Sequence, residues 1–150
     1  PIFLRGGSAP VAQNDPPWPG RVEFLARPAG MTGLGVNIVT LDPGQRTSER
    51  HWHSDSDEAL FVLDGQLTVL ENDGAHLLLP GDSAIWPAGA QNGHTVENRS
   101  DAPARFLIAG TNPAHDTVHY PDLGQTRQVT PDGWCLLDAD GALLDSGPAE

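Results

Sequence analysis

The sequence predicts an all-β fold, a sandwich or a barrel, and three observations carry that prediction. Glycine and proline account for 17 and 14 of the 150 residues, and such punctuation interrupts helices. Short apolar or alternating runs recur at roughly eight-to-twelve-residue spacing with turn residues between them. No segment between residues 34 and 110 sustains a helical period.

The elements follow in chain order. Residues 1–20 read as an extended arm, because Pro10, Pro16, Pro17 and Pro19 forbid a helix and confine strand pairing to an edge. Trp18 in that arm is expected to anchor it against the body or a second subunit. Residues 21–27 (RVEFLAR) alternate weakly and form a first strand. Residues 34–41 (LGVNIVTL) are rich in β-branched side chains and stop at Asp42-Pro43-Gly44. An apolar run, residues 59–63, ends at Asp64-Gly65. Residues 66–71 (QLTVLE) alternate cleanly, Asn72-Asp73-Gly74 is a hairpin turn of the Asp-Gly kind, and residues 75–79 return. Residues 83–86, 94–98 and 104–110 complete the series. In the tail, residues 118–121 look extended, and residues 134–137 and 142–144 form a hairpin about Asp140-Gly141.

Composition excludes several functions. The eight basic residues are all arginine, so lysine-based Schiff-base and phosphate-loop chemistry lack their residue. A net charge of -12 disfavours nucleic acids and anionic membranes as partners. The single cysteine, Cys135, rules out an intrachain disulfide and reads as a small buried apolar residue; its isolation suits a reducing cytoplasm. No apolar run approaches transmembrane length, and residues 1–7 lack the pattern of a signal peptide, so the expected location is cytoplasmic.

The chemistry concentrates in residues 44–65. His51 and His53 flank Trp52, and Glu58 follows. On a strand, the period of two sends both imidazoles to one side and Trp52 to the other. Two imidazoles and a carboxylate from neighbouring strands make most of a divalent-metal site. Asp55 and Asp57 compete for the carboxylate role, but Glu58 begins the apolar strand and can be held rigidly. A solvent-facing pair and a surface charge are the plain alternatives. His76, His115 and His119 lie outside the pattern; His76 is expected to be exposed and His119 to have a packing or surface role. Trp86 reads equally as cavity wall or core, Gln91 and Asn92 as loop polarity or ligand contacts, and Asn98 as a backbone-binding residue at a strand end.

A second punctuated block carries Gly81, Pro87, Gly89, His94 and Asn98. Together with Gly44, His51, His53, Glu58 and Gly65 it resembles the paired motifs of the cupin superfamily over about residues 34–110. More narrowly, GVNIVTL, HWHS and AGAQNGH resemble small bacterial single-domain cupins, a group with no assigned reaction. The resemblance implies a double-stranded β-helix, or jelly-roll barrel, over residues 21–150 with an N-terminal extended arm. It also implies that His51, His53, Glu58 and His94 hold one divalent ion. Zn, Fe, Mn, Ni, Co and Cu all suit such a set, and ligand type does not choose among them. Four protein ligands on an octahedral ion would leave two positions for water or substrate. The implied function is a metal-dependent enzyme on a small organic acid or carbonyl compound, of isomerase, lyase or dioxygenase type. The alternative is a non-catalytic module that binds or senses a small molecule. The family also implies a homodimer.

Overall fold

The structure is a computed structural model that describes residues 2–13 and 20–149. Trp18, Pro16, Pro17 and Pro19 lie outside the described residues, and with them the expected anchor. The described residues form fourteen strands and one 3-10 turn, Arg27–Ala29. The strands are β1 Val11–Gln13, β2 Arg21–Phe24, β3 Leu34–Leu41, β4 Trp52–His53, β5 Glu58–Asp64, β6 Leu67–Glu71 and β7 Gly74–Leu78. They continue with β8 Ser83–Trp86, β9 Thr95–Glu97, β10 Ala104–Thr111, β11 Asp116–Tyr120, β12 Gln125–Thr130, β13 Gly133–Leu137 and β14 Leu143–Gly147. Among the described residues no helix is long and apolar enough to cross a membrane.

All pairings are antiparallel. One sheet runs β1-β2-β3-β10-β5-β8, a second β14-β13-β12-β11-β4 and a third β7-β6-β9. The second and third are stitched together by residues 44–51, which pair with residues 94–98 through the Arg46–Glu97 and His51–His94 bridges. The result is two facing layers of jelly-roll type that do not close into a strict barrel. The expected all-β jelly roll is therefore the fold. β1 pairs only with β2, at the edge where a proline-flanked strand can be accommodated.

Alternation explains the core. On β5, Leu60 and Val62 point inward and are buried, whereas Phe61 and Leu63 point outward. On β10, Ala104 and Phe106 are buried and Arg105 is not. With Val22, Val39, Leu41, Leu67, Val69, Trp86 and Val96 these form one cluster. Each fully buried large side chain contributes about 1.5–3 kcal/mol relative to exposure. Gly65 closes β5 at φ +77°, and a Cβ there would stand 2.6 Å from the Pro103 carbonyl oxygen, so only glycine fits.

The first strand, expected over residues 21–27, stops at Phe24, the last runs Leu143–Gly147 rather than over residues 142–144, and three further details differ from the sequence reading. The β6–β7 hairpin turns on Asn72 and Asp73 alone, with Glu71 opposite Gly74, so Gly74 starts the return strand. Strand β12 was not expected; its sequence QTRQVT is polar on both faces and carries little apolar alternation. Cys135 is half-buried on β13, with its Sγ 3.8 Å from Gln128 Oε1, rather than a core residue. β13 is the second strand from the sheet's end, beside β14, and is half-buried along its whole length.

Candidate functional site

Strand parity delivers the site. Glu58 sits two residues before Leu60 on the inward face of β5, and so enters the interior at the end of a rigid strand. Asp55 and Asp57 are exposed, and the Asp57 carboxylate accepts from the Ala88 N–H at 2.8 Å. His51 and His94 face each other across a hydrogen-bonded bridge, with N···O distances of 2.9 and 2.8 Å. Their ring centroids lie 5.0 Å apart, and the His51 and His53 centroids 5.1 Å apart. One donor atom from each of His51, His53 and Glu58 lies within 4.8 Å of the others. His94 meets the group through the same carboxylate, its Nε2 donating to Glu58 Oε2 at 2.8 Å. His53 Nε2 stands 3.9 Å from that oxygen.

Each imidazole is oriented from its other nitrogen. His53 Nδ1 donates to Asp116 Oδ2 at 2.6 Å, and the same carboxylate accepts from the Asp55 N–H at 2.9 Å. His51 Nδ1 donates to the Glu49 carbonyl at 2.9 Å, with Ser48 Oγ 3.1 Å away. These bonds fix the tautomer and leave the Nε2 atoms of His51 and His53 as the free donors. His94 is held by stacking on Trp86, centroids 3.8 Å apart at 8°. The Trp86 indole N–H donates in turn to Glu71 Oε1 at 2.6 Å. Trp86 is therefore core and cavity wall together.

Electrostatics prepare the cluster to bind a cation. Burial lowers the His51 pKa below its ordinary 6.5, outweighing the Glu49 bond and the Glu58 charge that raise it. Burial pushes the Glu58 carboxyl up, but the His94 hydrogen bond and the three surrounding imidazoles outweigh it and hold the pKa below 4.5. At neutral pH, His51 is an uncharged donor beside an ionised carboxylate. Nitrogen and carboxylate donors of this kind fit a first-row divalent ion.

The cluster lies on the wall of a cavity of ≈350 Å³, shared with Val39, Phe106, Ile108 and Tyr120. A second hollow of ≈350 Å³ also borders His53 and Glu58, beside Asn37 and Thr111.

The other sequence candidates fall outside this arrangement. His76 is exposed and bonded to Asp73 at 2.7 Å, and His115 is exposed. His119 stacks on Trp52, centroids 3.8 Å apart, and bonds to Ser54 Oγ at 2.8 Å; that is the packing role expected for it. Asn92 Oδ1 and the Gln91 carbonyl both accept from Asn72, tying the loop to the β6–β7 hairpin. Asn98 Nδ2 donates to the Leu41 and Ala102 carbonyls, as a backbone-binding residue should. Sequence reasoning missed Asp116. Its one visible signal is parity: Asp116, Val118 and Tyr120 share a face of β11, so the acid is grouped with inward residues. Its partner, 63 positions away, was not visible.

Comparisons with known proteins agree with this fold. The family described as "Cupin domain" matches residues 37–110. The tetracenomycin polyketide synthase protein TcmJ of Streptomyces glaucescens is 34% identical over 92 residues, 60% of this chain and 60% of that relative's length. Protein SchB of Streptomyces halstedii is 31% identical over 118 residues, covering 76% of this chain and 83% of SchB. A crystal structure described as a sugar phosphate isomerase from a cupin superfamily, from Silicibacter pomeroyi, superposes with a TM-score of 0.88 at 33% identity. That match covers 96% of this chain and 97% of the other.

Proposed function

This chain belongs to the cupin superfamily, and from that premise we propose that it is a metal-dependent enzyme acting on a small organic acid or carbonyl compound. One observation carries the reading: His51, His53 and Glu58 offer donor atoms within 4.8 Å of one another on a cavity wall, and His94 bonds to the same carboxylate. Cupin proteins commonly bind metal, and the donor set fits a divalent ion by chemistry; the proton that His94 Nε2 shares with Glu58 in the metal-free protein would leave on binding. His51, His53, Glu58 and His94 would hold it. When bound, such an ion supplies Lewis acidity to a substrate oxygen.

The chain's own residues do the remaining work. Asp116 keeps the proton of His53 on Nδ1, so Nε2 stays a lone-pair donor. Trp86 fixes the plane of the His94 ring. Val39, Val96, Phe106 and Ile108 exclude water from the far walls and strengthen every charge interaction inside. A reaction of isomerase type receives support from the Silicibacter pomeroyi relative, whose description names a sugar phosphate isomerase. Lyase and dioxygenase types belong to the proposal as well, since an ion with open positions would take a substrate oxygen or dioxygen. A homodimer is part of the proposal, and a monomer by scattering would count against it.

The test is to load the purified protein with each first-row divalent ion and follow small oxo acids, hydroxy acids and sugar phosphates by NMR. Turnover with one ion, abolished by His51→Ala, supports the proposal. Turnover that persists in His51→Ala refutes it. Stoichiometric ligand binding without chemical change under every ion would instead identify a binding or sensing module.

A further inference from the structure

The cavity contains a charge that the metal-binding reading does not use. Strand β12 contributes Arg127 to the same wall as His51, His53 and Tyr120. The sheet register explains why. His53 on β4 is opposite Val118 on β11, and Val118 is opposite Arg127 on β12. Directly opposed residues on adjacent strands project to one face. Neighbouring strands lie about 4.8 Å apart, so His53 and Arg127 are rooted about 10 Å from each other on a common inward surface.

The guanidinium is also held in a usable pose. Its Cζ lies 4.5 Å from the centroid of the Trp134 ring, on the next strand. A guanidinium over an aromatic ring is attracted to its π-face, and it carries five N–H donors in a planar fork. Among the described residues that line this cavity Arg127 is the only arginine, and the chain has no lysine. The walls of the cavity include Val22, Val39, Val96, Phe106 and Ile108, and a charge interaction is stronger against apolar walls than in water. A protein of net charge -12 repels anions in general, so a local cation inside its cavity decides which anions stay.

We propose that Arg127 is the anion-binding residue of this cavity, and that the ligand is a small organic anion. Its carboxylate or phosphate group rests on the Arg127 guanidinium and another of its oxygens faces His51, His53 and Glu58. The inference deepens the function proposed above and rests on it for the histidine end only. A carboxylate and a phosphate monoester share the required chemistry, two or more oxygens that accept from a planar fork. The cavity of ≈350 Å³ lies at the small end of the ligand-site range, roughly 300–1,000 Å³.

Calorimetric titration tests this with three probes: zinc alone, inorganic phosphate and malonate. The anions are titrated into metal-free and zinc-loaded protein. Arg127→Met should weaken anion binding about tenfold or more, the loss of a charge-assisted pair, and leave zinc affinity unchanged. Arg127→Lys should restore part of it, and wild-type binding should weaken with added salt. Phosphate bound in preference to malonate identifies a phosphate ester, and the reverse a carboxylate. Should Arg127→Met fail to fold, the wild type serves: either anion should slow modification of Arg127 by phenylglyoxal, read by peptide mass. Anion binding equal in Arg127→Met and wild type, absence of anion binding in wild type, or modification unaffected by anions overturns the inference. Failure of zinc to bind, with anion binding still dependent on Arg127, sinks the metal reading and leaves this one standing.

Discussion

Replacing Asp116 by asparagine isolates the orientation of a single ring. The aspartate accepts two hydrogen bonds, from His53 Nδ1 at 2.6 Å and from the Asp55 N–H at 2.9 Å. Asparagine keeps the shape but offers one oxygen and one NH2 group. If the oxygen stays with Asp55, the NH2 donates to His53 Nδ1, forcing the ring proton onto Nε2, where it faces the site. If the oxygen stays with His53, the NH2 faces the Asp55 N–H and that half-buried bond is lost. Neither choice restores both contacts. Loss of such an orienting partner typically lowers metal affinity about 10–100-fold, or about 1.4–2.7 kcal/mol. Loss of that half-buried bond costs about 0.5–1.5 kcal/mol of stability in the metal-free protein. Competition with a chromophoric chelator measures the first effect and urea unfolding the second. Zinc affinity within twofold of wild type, together with an unchanged urea midpoint, would refute the reasoning.

Three further outcomes follow from the same structure. Phe106→Ala should cost about 3–5 kcal/mol, because the ring is fully buried in the central cluster; a loss below about 1 kcal/mol on urea unfolding would show that the core collapses around it. Gly65→Ala should destabilise by about 1–2 kcal/mol from its φ of +77° alone, with further loss from the 2.6 Å approach to the Pro103 carbonyl oxygen; an unaltered melting temperature would contradict this. The metal-free protein should lose stability in acid. Burial lowers the pKa of His51 and His119 below 6.5; burial raises that of Glu58, but the His94 bond and the surrounding imidazoles together outweigh it and hold Glu58 below 4.5. The unfolded chain then binds more protons than the folded one below each of those values, so stability is full above pH 6.5 and falls as pH drops through it and again through 4.5. His76, raised by Asp73, has the opposite sign but is exposed at the surface. A melting temperature higher at pH 5 than at pH 7.5 would contradict the assignment.

Much of the fold could be read from local chemistry. β3, β5, β6, β8 and β10 are bounded by Pro, Gly and Asp turns and carry apolar residues at period two or in runs, so the sequence marks them directly. β12 could not be read this way. Arg127 and Val129 share one face and the rest of the strand is polar, so no apolar stripe exists to see. The pattern that makes β12 a strand is its pairing with β11 and β13, which supply the hydrogen bonds and the cover.

The sequence by itself determined that His51 and His53 share a face, that Trp52 opposes them and that Glu58 opens an inward strand. Those follow from chain parity, which needs no partner. Tertiary structure alone decided that His94 meets Glu58, that Asp116 backs His53 and that Arg127 stands in the same row. Each of these depends on strand register between segments 36 to 74 residues apart. A shift of one residue would turn every such side chain to the opposite face, so only the assembled sheets specify them.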